Sequence, residues 1–511
     1  MRISPHPSNN KHQVWERASN YTGRLPRYNL ALLTFVGVLA ISIGLVIGSS
    51  GEDSDSVILM FLALAGSGLF LVAFKSPKTI MLVCLLTALP VSITIGFEGM
   101  KGIYPYEVLL IFLLLTLLLT RIVRGRARHA GQPTEFGSTE RSMLLLSGWV
   151  VLGYLMNIGS YTNLGWKFYA HGMLTLVLCL GAYFMGKYLF DDSTDFKRVC
   201  WAILVATLIP SLLVMIAWLQ QTSGVIGRYN FVLSGDLGYG DHASLALIGF
   251  LIALSLLASV SSRIERIALM FCLSVYAIPL IIIGTRAIYV YALGEIVLLL
   301  ILLRPWARQH TYHPARVVLP ALLAIAFLGF MIYFVFNTDL IISIRALLSP
   351  GSYELANKKI MIQTAYHLLL EHPFFGVGLG FYPIYSLDPI LVSGGSVYVA
   401  SPHNGVMQLL AETGIGGFMI AMLVCFFFLV QSWKSYCKLS SPLFRSLAAA
   451  VMVIVLFAVV GQLIQSSLFF PPAAQRNSIR IPFYAWFLVG YVQGLRRIES
   501  RLLQKCKVRA E

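Results

Sequence analysis

EHPFFGVGLGFYPIYSLDPILVSGGSVYVASPHNGVMQLLAETGIGG, residues Glu371 to Gly417, is a polar interruption in an otherwise apolar chain. It is rich in glycine and aromatic residues, and its His-Asn pair comes just before another apolar run. Apolar runs of about 17 to 25 residues recur on both sides of it, each long enough to cross roughly 30 Å of hydrocarbon as a helix. A loop of this kind between two such runs is where chemistry is expected, and the rest of the chain reads as its scaffold.

Hydrophobic residues make up 58% of the 511 and charged residues 12%, against roughly 25% charged in a soluble domain. This composition reads as an all-α, polytopic helical membrane protein, and its apolar runs give about 12–14 transmembrane helices with one large loop on the outer side. Spans are expected near 30–48, 57–74, 79–97, 103–120, 143–158, 169–190, 199–219, 243–260, 267–283, 287–303, 317–335, 406–431, 446–466 and 481–495. The organisation is then a cytoplasmic tail (1–28), helices 1–11 (29–335), the large loop (336–405), helices 12–14 (406–495) and a basic cytoplasmic tail (496–511). The first 28 residues show no convincing cleavage site and read as leading into an uncleaved first helix.

The net charge of +16 would suggest nucleic acid in a soluble protein, but here the positive-inside rule accounts for it. With the N-terminus in the cytoplasm and the sides alternating, 29 of the 38 Lys and Arg fall inside and 9 outside, so no nucleic-acid partner is expected. The seven cysteines all lie in spans or on the cytoplasmic side, and no Cys/His spacing suggests zinc. Neither a metal nor a cofactor is expected.

Three polar features share the outer side. Arg228 sits among glycines and aromatics in the loop Gly227–His242; it reads either as a topological exception bonded to loop carbonyls or as an anion-binding residue. Arg286 follows Gly284-Thr285 at the outer lip of a tight hairpin. There it can snorkel to the interface, or grip phosphate oxygens in bidentate fashion. Glu295, about two turns deeper, is an ionisable group within a span, a position that is usually paired or functional.

Within the large loop, Ile362, Ala365, Tyr366 and Leu369 fall at helical spacing and predict an amphipathic helix over Lys358–Leu370, at the membrane surface or under the loop. It stops at His372-Pro373. Gly376, Gly378 and Gly380 lack the spacing and the preceding strand of a dinucleotide site, and are read as permitting a tight turn or close approach to a ligand. Pro402 biases Ser401 away from helix, which puts His403 and Asn404 at the start of the next helix, with Gln408 and Glu412 one and two turns on.

These residues resemble the O-antigen ligase and O-antigen polymerase superfamily. The resemblance rests on His372–Gly380, on His403–Gly414, on Thr285-Arg286 opening a span and on Gly227-Arg228 after an earlier one. It covers about residues 200 to 430, and Asp241-His242 departs from the asparagine that relatives often carry there. It implies a glycosyltransferase of the bacterial inner membrane, with its active site on the periplasmic side. Such enzymes take an undecaprenyl-diphosphate-linked glycan and join it to an acceptor hydroxyl on lipid A core, on another lipid-linked repeat or, in some relatives, on a protein. Arg228 and Arg286 would hold the diphosphate, and His403 would orient or deprotonate the acceptor. Asn404, Glu412, Gly376, Gly378 and Gly380 would line the substrate site, with membrane lipids around it.

The reading from another class is a lipid-linked-oligosaccharide flippase or other transporter, for which Glu295 would serve as a coupling-ion site. It predicts polar residues spread through many spans, whereas here they gather at the outer lip. Between lipopolysaccharide ligase and exopolysaccharide polymerase, the additional spans and the absence of an obvious core-binding signature lean toward polymerase.

Overall fold

In hydrocarbon every backbone N–H and C=O must find its partner inside the protein, and a helix satisfies them within one segment. The computed structural model describes residues 76–87, 110–111, 113–114, 137–158, 163–190, 192–220, 239–260, 262–282, 286–309, 353–382, 404–461 and 480–508. Among them there are helices and no strand. The helices are α1 (Pro77–Thr87), α2 (Ser138–Asn157), α3 (Asn163–Tyr188), α4 (Ser193–Gln220), α5 (Tyr239–Leu257), α6 (Arg263–Ile282), α7 (Arg286–Gln309), α8 (Tyr353–Glu371), α9 (Gly405–Lys438), α10 (Pro442–Gly461) and α11 (Arg480–Val508). The spans expected from 143 to 303 and from 406 to 495 fall on α2–α7 and α9–α11, each helix beginning a little earlier because its polar first turn is helical too. Those expected at 30–48, 57–74 and 317–335 lie outside the described residues, the one at 103–120 lies largely so, and of the one at 79–97 residues 79–87 are described, within α1.

The protein is an all-α helical membrane protein. Among the described residues, α9 and α10 are each long and apolar enough to cross a bilayer. Large apolar side chains also point outward: Leu145, Leu152 and Met156 on α2, Ile264, Ile267 and Phe271 on α6, and Met419 and Phe426 on α9. In water such continuous patches would drive association; against lipid they are the solvent-facing surface. By contrast α5 is buried nearly all round, packed against α4, α6, α7 and α10, as expected of an apolar helix at the middle of a bundle.

Lipid gives helices little hydrophobic reason to associate, so close packing by small residues must do more. The most extensive helix pair, α3 with α11, shows this. Gly490 and Gly494 stand four residues apart on α11 and meet Gly186 on α3. A Cβ on Gly490 would overlap the Tyr183 carbonyl oxygen, and one on Gly494 would come within 2.8 Å of the Lys187 carbonyl. Beside this seam Tyr183 stacks on Phe428 of α9 at 5.5 Å, and Phe428 meets Trp486 of α11 edge-on at 5.2 Å. Three helices are thereby keyed together.

Polar ties gather at helix ends. Lys78 pairs with Asp195 at 2.7 Å, joining the starts of α1 and α4, and Lys197 pairs with Glu265 at 2.8 Å, joining α4 to α6. Buried Glu140 receives Lys187 and the Tyr183 hydroxyl. The Glu499 carboxylate accepts the backbone N–H groups of Ser440 (2.9 Å) and Ser441 (2.6 Å), just ahead of α10, where a negative charge complements the helix dipole. Each of these ties joins ends that strict alternation of the spans puts on one side of the membrane.

Gly490→Ala should lower the unfolding midpoint of detergent-purified protein, since overpacking costs about 1–3 kcal/mol. Gly148→Ala, whose added methyl meets nothing within 4 Å, is the control and should not. Equal midpoints for the two variants would contradict backbone contact between α3 and α11.

Candidate active site

The site is built around a break in a helix. α9 is long, but at Gly414 its backbone leaves helical space (φ 66°, ψ −175°), a conformation essentially confined to glycine. The span expected at 406–431 as one helix is therefore a short segment, Gly405 to Thr413, followed by a longer one. Such a break strands carbonyls and an N–H that an unbroken helix would pair internally, and buried orphans of that kind are costly.

The chain after α8 supplies the missing partners. The Val377 N–H donates to the Ala411 carbonyl and the Gly378 N–H to the Glu412 carbonyl, both at 2.9 Å, while the Ile415 N–H donates to the Pro373 carbonyl at 2.8 Å. The indole N–H of Trp149 on α2 donates to the Thr413 carbonyl at 3.1 Å. The broken helix and the glycine turn thus complete each other through main-chain bonds.

That arrangement explains the alternation in Gly376-Val-Gly-Leu-Gly380. Gly376, Gly378 and Gly380 all have positive φ, which folds the turn flat against α9, and a Cβ on Gly376 would overlap the Glu412 backbone. Between them Val377 is buried, and with Phe381, Tyr382, Ala365, Leu368, Ala411 and Tyr154 it forms a small apolar core of its own. The Tyr382 hydroxyl donates to the Met361 carbonyl of α8 at 2.9 Å.

Glu412 lies inside this latch. Its carboxylate accepts Gln408 Nε2 at 3.1 Å and the backbone N–H groups of Gly380 and Tyr382. The two polar residues expected to follow His403 around the helix are thus bonded to each other, and the carboxylate is turned toward the turn's backbone. Asn404 is the N-cap of α9: its Oδ1 accepts the Met407 N–H at 3.0 Å, as asparagine commonly does in this position.

The expected helix over Lys358–Leu370 is observed as Tyr353–Glu371, and its apolar stripe is not the face that packs inside the protein. Of Ile362, Ala365, Tyr366 and Leu369 only Ala365 is buried; Thr364 and Leu368 join it, while Tyr366 is 51% exposed. Small Ala365 and Thr364 allow close approach to α9, so the helix turns that stripe inward and presents Ile362, Tyr366 and Leu370 outward.

Arg286 opens α7; its side chain, Arg228 and His403 lie outside the described residues. Glu295 on α7 is buried, with its Oε2 lacking a hydrogen-bond partner among the described residues. His242 is buried near the start of α5. Reasoning from sequence did not single out Trp149 or Asn157 on α2, nor the break at Gly414. Only the last left a signal, the glycine cluster Thr413-Gly-Ile-Gly-Gly417 inside an apolar run.

Residues 268–422 match the family model described as O-antigen ligase. The matched segment holds Arg286, the whole glycine turn and the first segment of α9; Arg228 and α2 fall outside it. It bears out the resemblance to the O-antigen ligase and polymerase superfamily and supports a ligase- or polymerase-type function. No curated protein matches the chain significantly.

Gly414→Ala adds a methyl that overlaps the Phe374 carbonyl in a backbone region costing about 1–3 kcal/mol for other residues. The expected result is a smaller monodisperse fraction on size-exclusion chromatography after mild heating. A wild-type profile would show that the break does not require glycine.

Proposed function

We propose that the protein is a membrane glycosyltransferase that moves a glycan from an undecaprenyl-diphosphate carrier to an acceptor hydroxyl at the periplasmic face of the inner membrane. The acceptor oxygen attacks the anomeric carbon and the bond from that carbon to the diphosphate oxygen breaks. Undecaprenyl diphosphate leaves, and the hydroxyl proton passes to the His403 imidazole. A lipid diphosphate is already a good leaving group, so the protein's task is to position it and neutralise developing charge. Arg228 and Arg286 take that part. A neutral imidazole suits the proton transfer.

The observation that carries this reading is the latch between the glycine turn and the broken helix, within the segment matched to O-antigen ligase. It fixes the end of α9's first segment, about two turns beyond the Asn404 cap that follows His403, against the glycine-rich turn. Asn404, Glu412 and the three glycines contribute by shaping the floor on which the glycan is received. A polymerase that extends lipid-linked repeats is favoured over a ligase acting on lipid A core.

One observation favours the transporter reading: the carboxylate of Glu295, buried in α7 with Oε2 unpaired among the described residues. The two readings part in a single assay of purified protein given lipid-diphosphate-linked glycan and acceptor. The wild type should form a new glycosidic product on gels. His403→Ala should bind donor normally and lose about 10²–10⁴ in rate, the usual contribution of a positioned general base. Wild-type turnover by His403→Ala would remove the base assignment. Transbilayer movement of the lipid-linked glycan without any new glycosidic bond would replace the enzyme by the transporter.

A further inference from the structure

We propose that α2, which lies outside the segment matched to O-antigen ligase, belongs to the machinery of the site, with Asn157 and Trp149 as positioning residues for the latch. This rests on the reading of the latch as part of the transfer site.

Trp149, Gly153 and Asn157 recur every four residues and so form one stripe along α2. All three meet the latch. The Trp149 ring stacks on Phe375 at 4.8 Å with an interplanar angle of 24°, and its N–H reaches the Thr413 carbonyl. Gly416 and Gly417 leave space for that ring, since a Cβ on Gly416 would overlap it. At Gly153 a Cβ would come within 3.2 Å of the Phe375 carbonyl oxygen. Asn157 Nδ2 has two hydrogens and two acceptors, the Gly153 carbonyl at 2.8 Å and the Gly376 carbonyl at 3.0 Å. The amide therefore bridges its own helix to the first glycine of the turn.

α2 packs chiefly on α9, and its far end has a tie of its own. Its opposite end is tied by buried Glu140 to Lys187 and Tyr183 of α3, and another of its faces, with Leu145, Leu152 and Met156, is turned to lipid. A helix anchored at its far end, and carrying a stripe that meets both the broken part of α9 and the turn beside it, is built to hold the two together. An amide in a span is costly unless paired, and here both of its hydrogens are committed to carbonyls. When Asn157 is removed, Gly376 loses a tether while the bundle keeps its attachments.

The test compares Asn157→Ala, Asn157→Asp, which keeps the size but not the donors, and Trp149→Phe, which keeps the stacking but not the N–H. Two readouts are taken on purified protein: backbone amide exchange across residues 376–380, and steady-state transfer from the lipid-linked donor. Exchange should quicken in all three variants with the unfolding midpoint close to wild type. kcat should fall about 10- to 100-fold with little change in KM for the donor, as small misplacements near a reacting centre do. Unchanged exchange and unchanged kcat, or a loss of activity matched by an equal loss of folded protein, would overturn the proposal. If the wild type itself transfers nothing, the glycosyltransferase reading fails, and amide exchange alone then decides whether α2 holds the turn.

Discussion

Three main-chain hydrogen bonds, Val377 to Ala411, Gly378 to Glu412 and Ile415 to Pro373, hold the glycine turn against the broken helix. A helix opened inside a membrane protein leaves polar backbone groups that no water can satisfy. The glycine turn answers that need, and in doing so becomes fixed. Its positive-φ residues, the buried Val377 between them and the Glu412 carboxylate that receives Gly380 and Tyr382 all follow from this pairing. The arrangement converts a flexible, glycine-rich sequence into a surface with one geometry, as positioning catalysis demands.

Apart from Glu295, whose buried carboxylate has an unpaired oxygen among the described residues, the charged groups around the latch follow the other rule of the bilayer, that polarity must be paired or kept at the edges. The bundle's ion pairs lie at helix ends, its middle is aromatic and aliphatic, and its closest helices meet at Gly186, Gly490 and Gly494. Such a scaffold resists deformation, so the Gly414 break is held by fixed surroundings. α2 links the two regions, anchored at one end by Glu140 and touching the latch at the other through Asn157.

Much of this was legible beforehand for simple physical reasons. Long apolar runs announce helices, so α2 to α7 and α9 to α11 lie where helical segments were expected, with α9 and α10 long and apolar enough to cross a bilayer. The turn was legible as a turn, because Gly376, Gly378 and Gly380 alternate in a way only unusual backbone angles require. Asn404 as the start of a helix followed from Pro402 and from the apolar run beyond. What stayed hidden depended on partners distant in the chain. Trp149 and Asn157 sit in a run that reads as ordinary span, and only the fold brings them to Thr413 and Gly376. The apolar stripe of α8 did not tell which face packs inside the protein: Ile362 and Tyr366 are exposed, whereas small Ala365 and Thr364 are buried. In a membrane protein, hydrophobicity marks the outside as readily as the inside, and periodicity alone does not separate them.

Photo-crosslinking of the donor tests the central claim most directly, that the latch and the start of α9 frame the transfer site. A lipid-diphosphate-linked glycan with a photoreactive group on its first sugar is bound to the wild-type protein, irradiated, and the labelled peptides are sequenced. Label should concentrate in peptides spanning 372–382 and 403–414, and excess unmodified donor should compete it away. Competable label confined to helices remote from the latch, such as α4 or α6, with both of those peptides unmodified, would contradict the account.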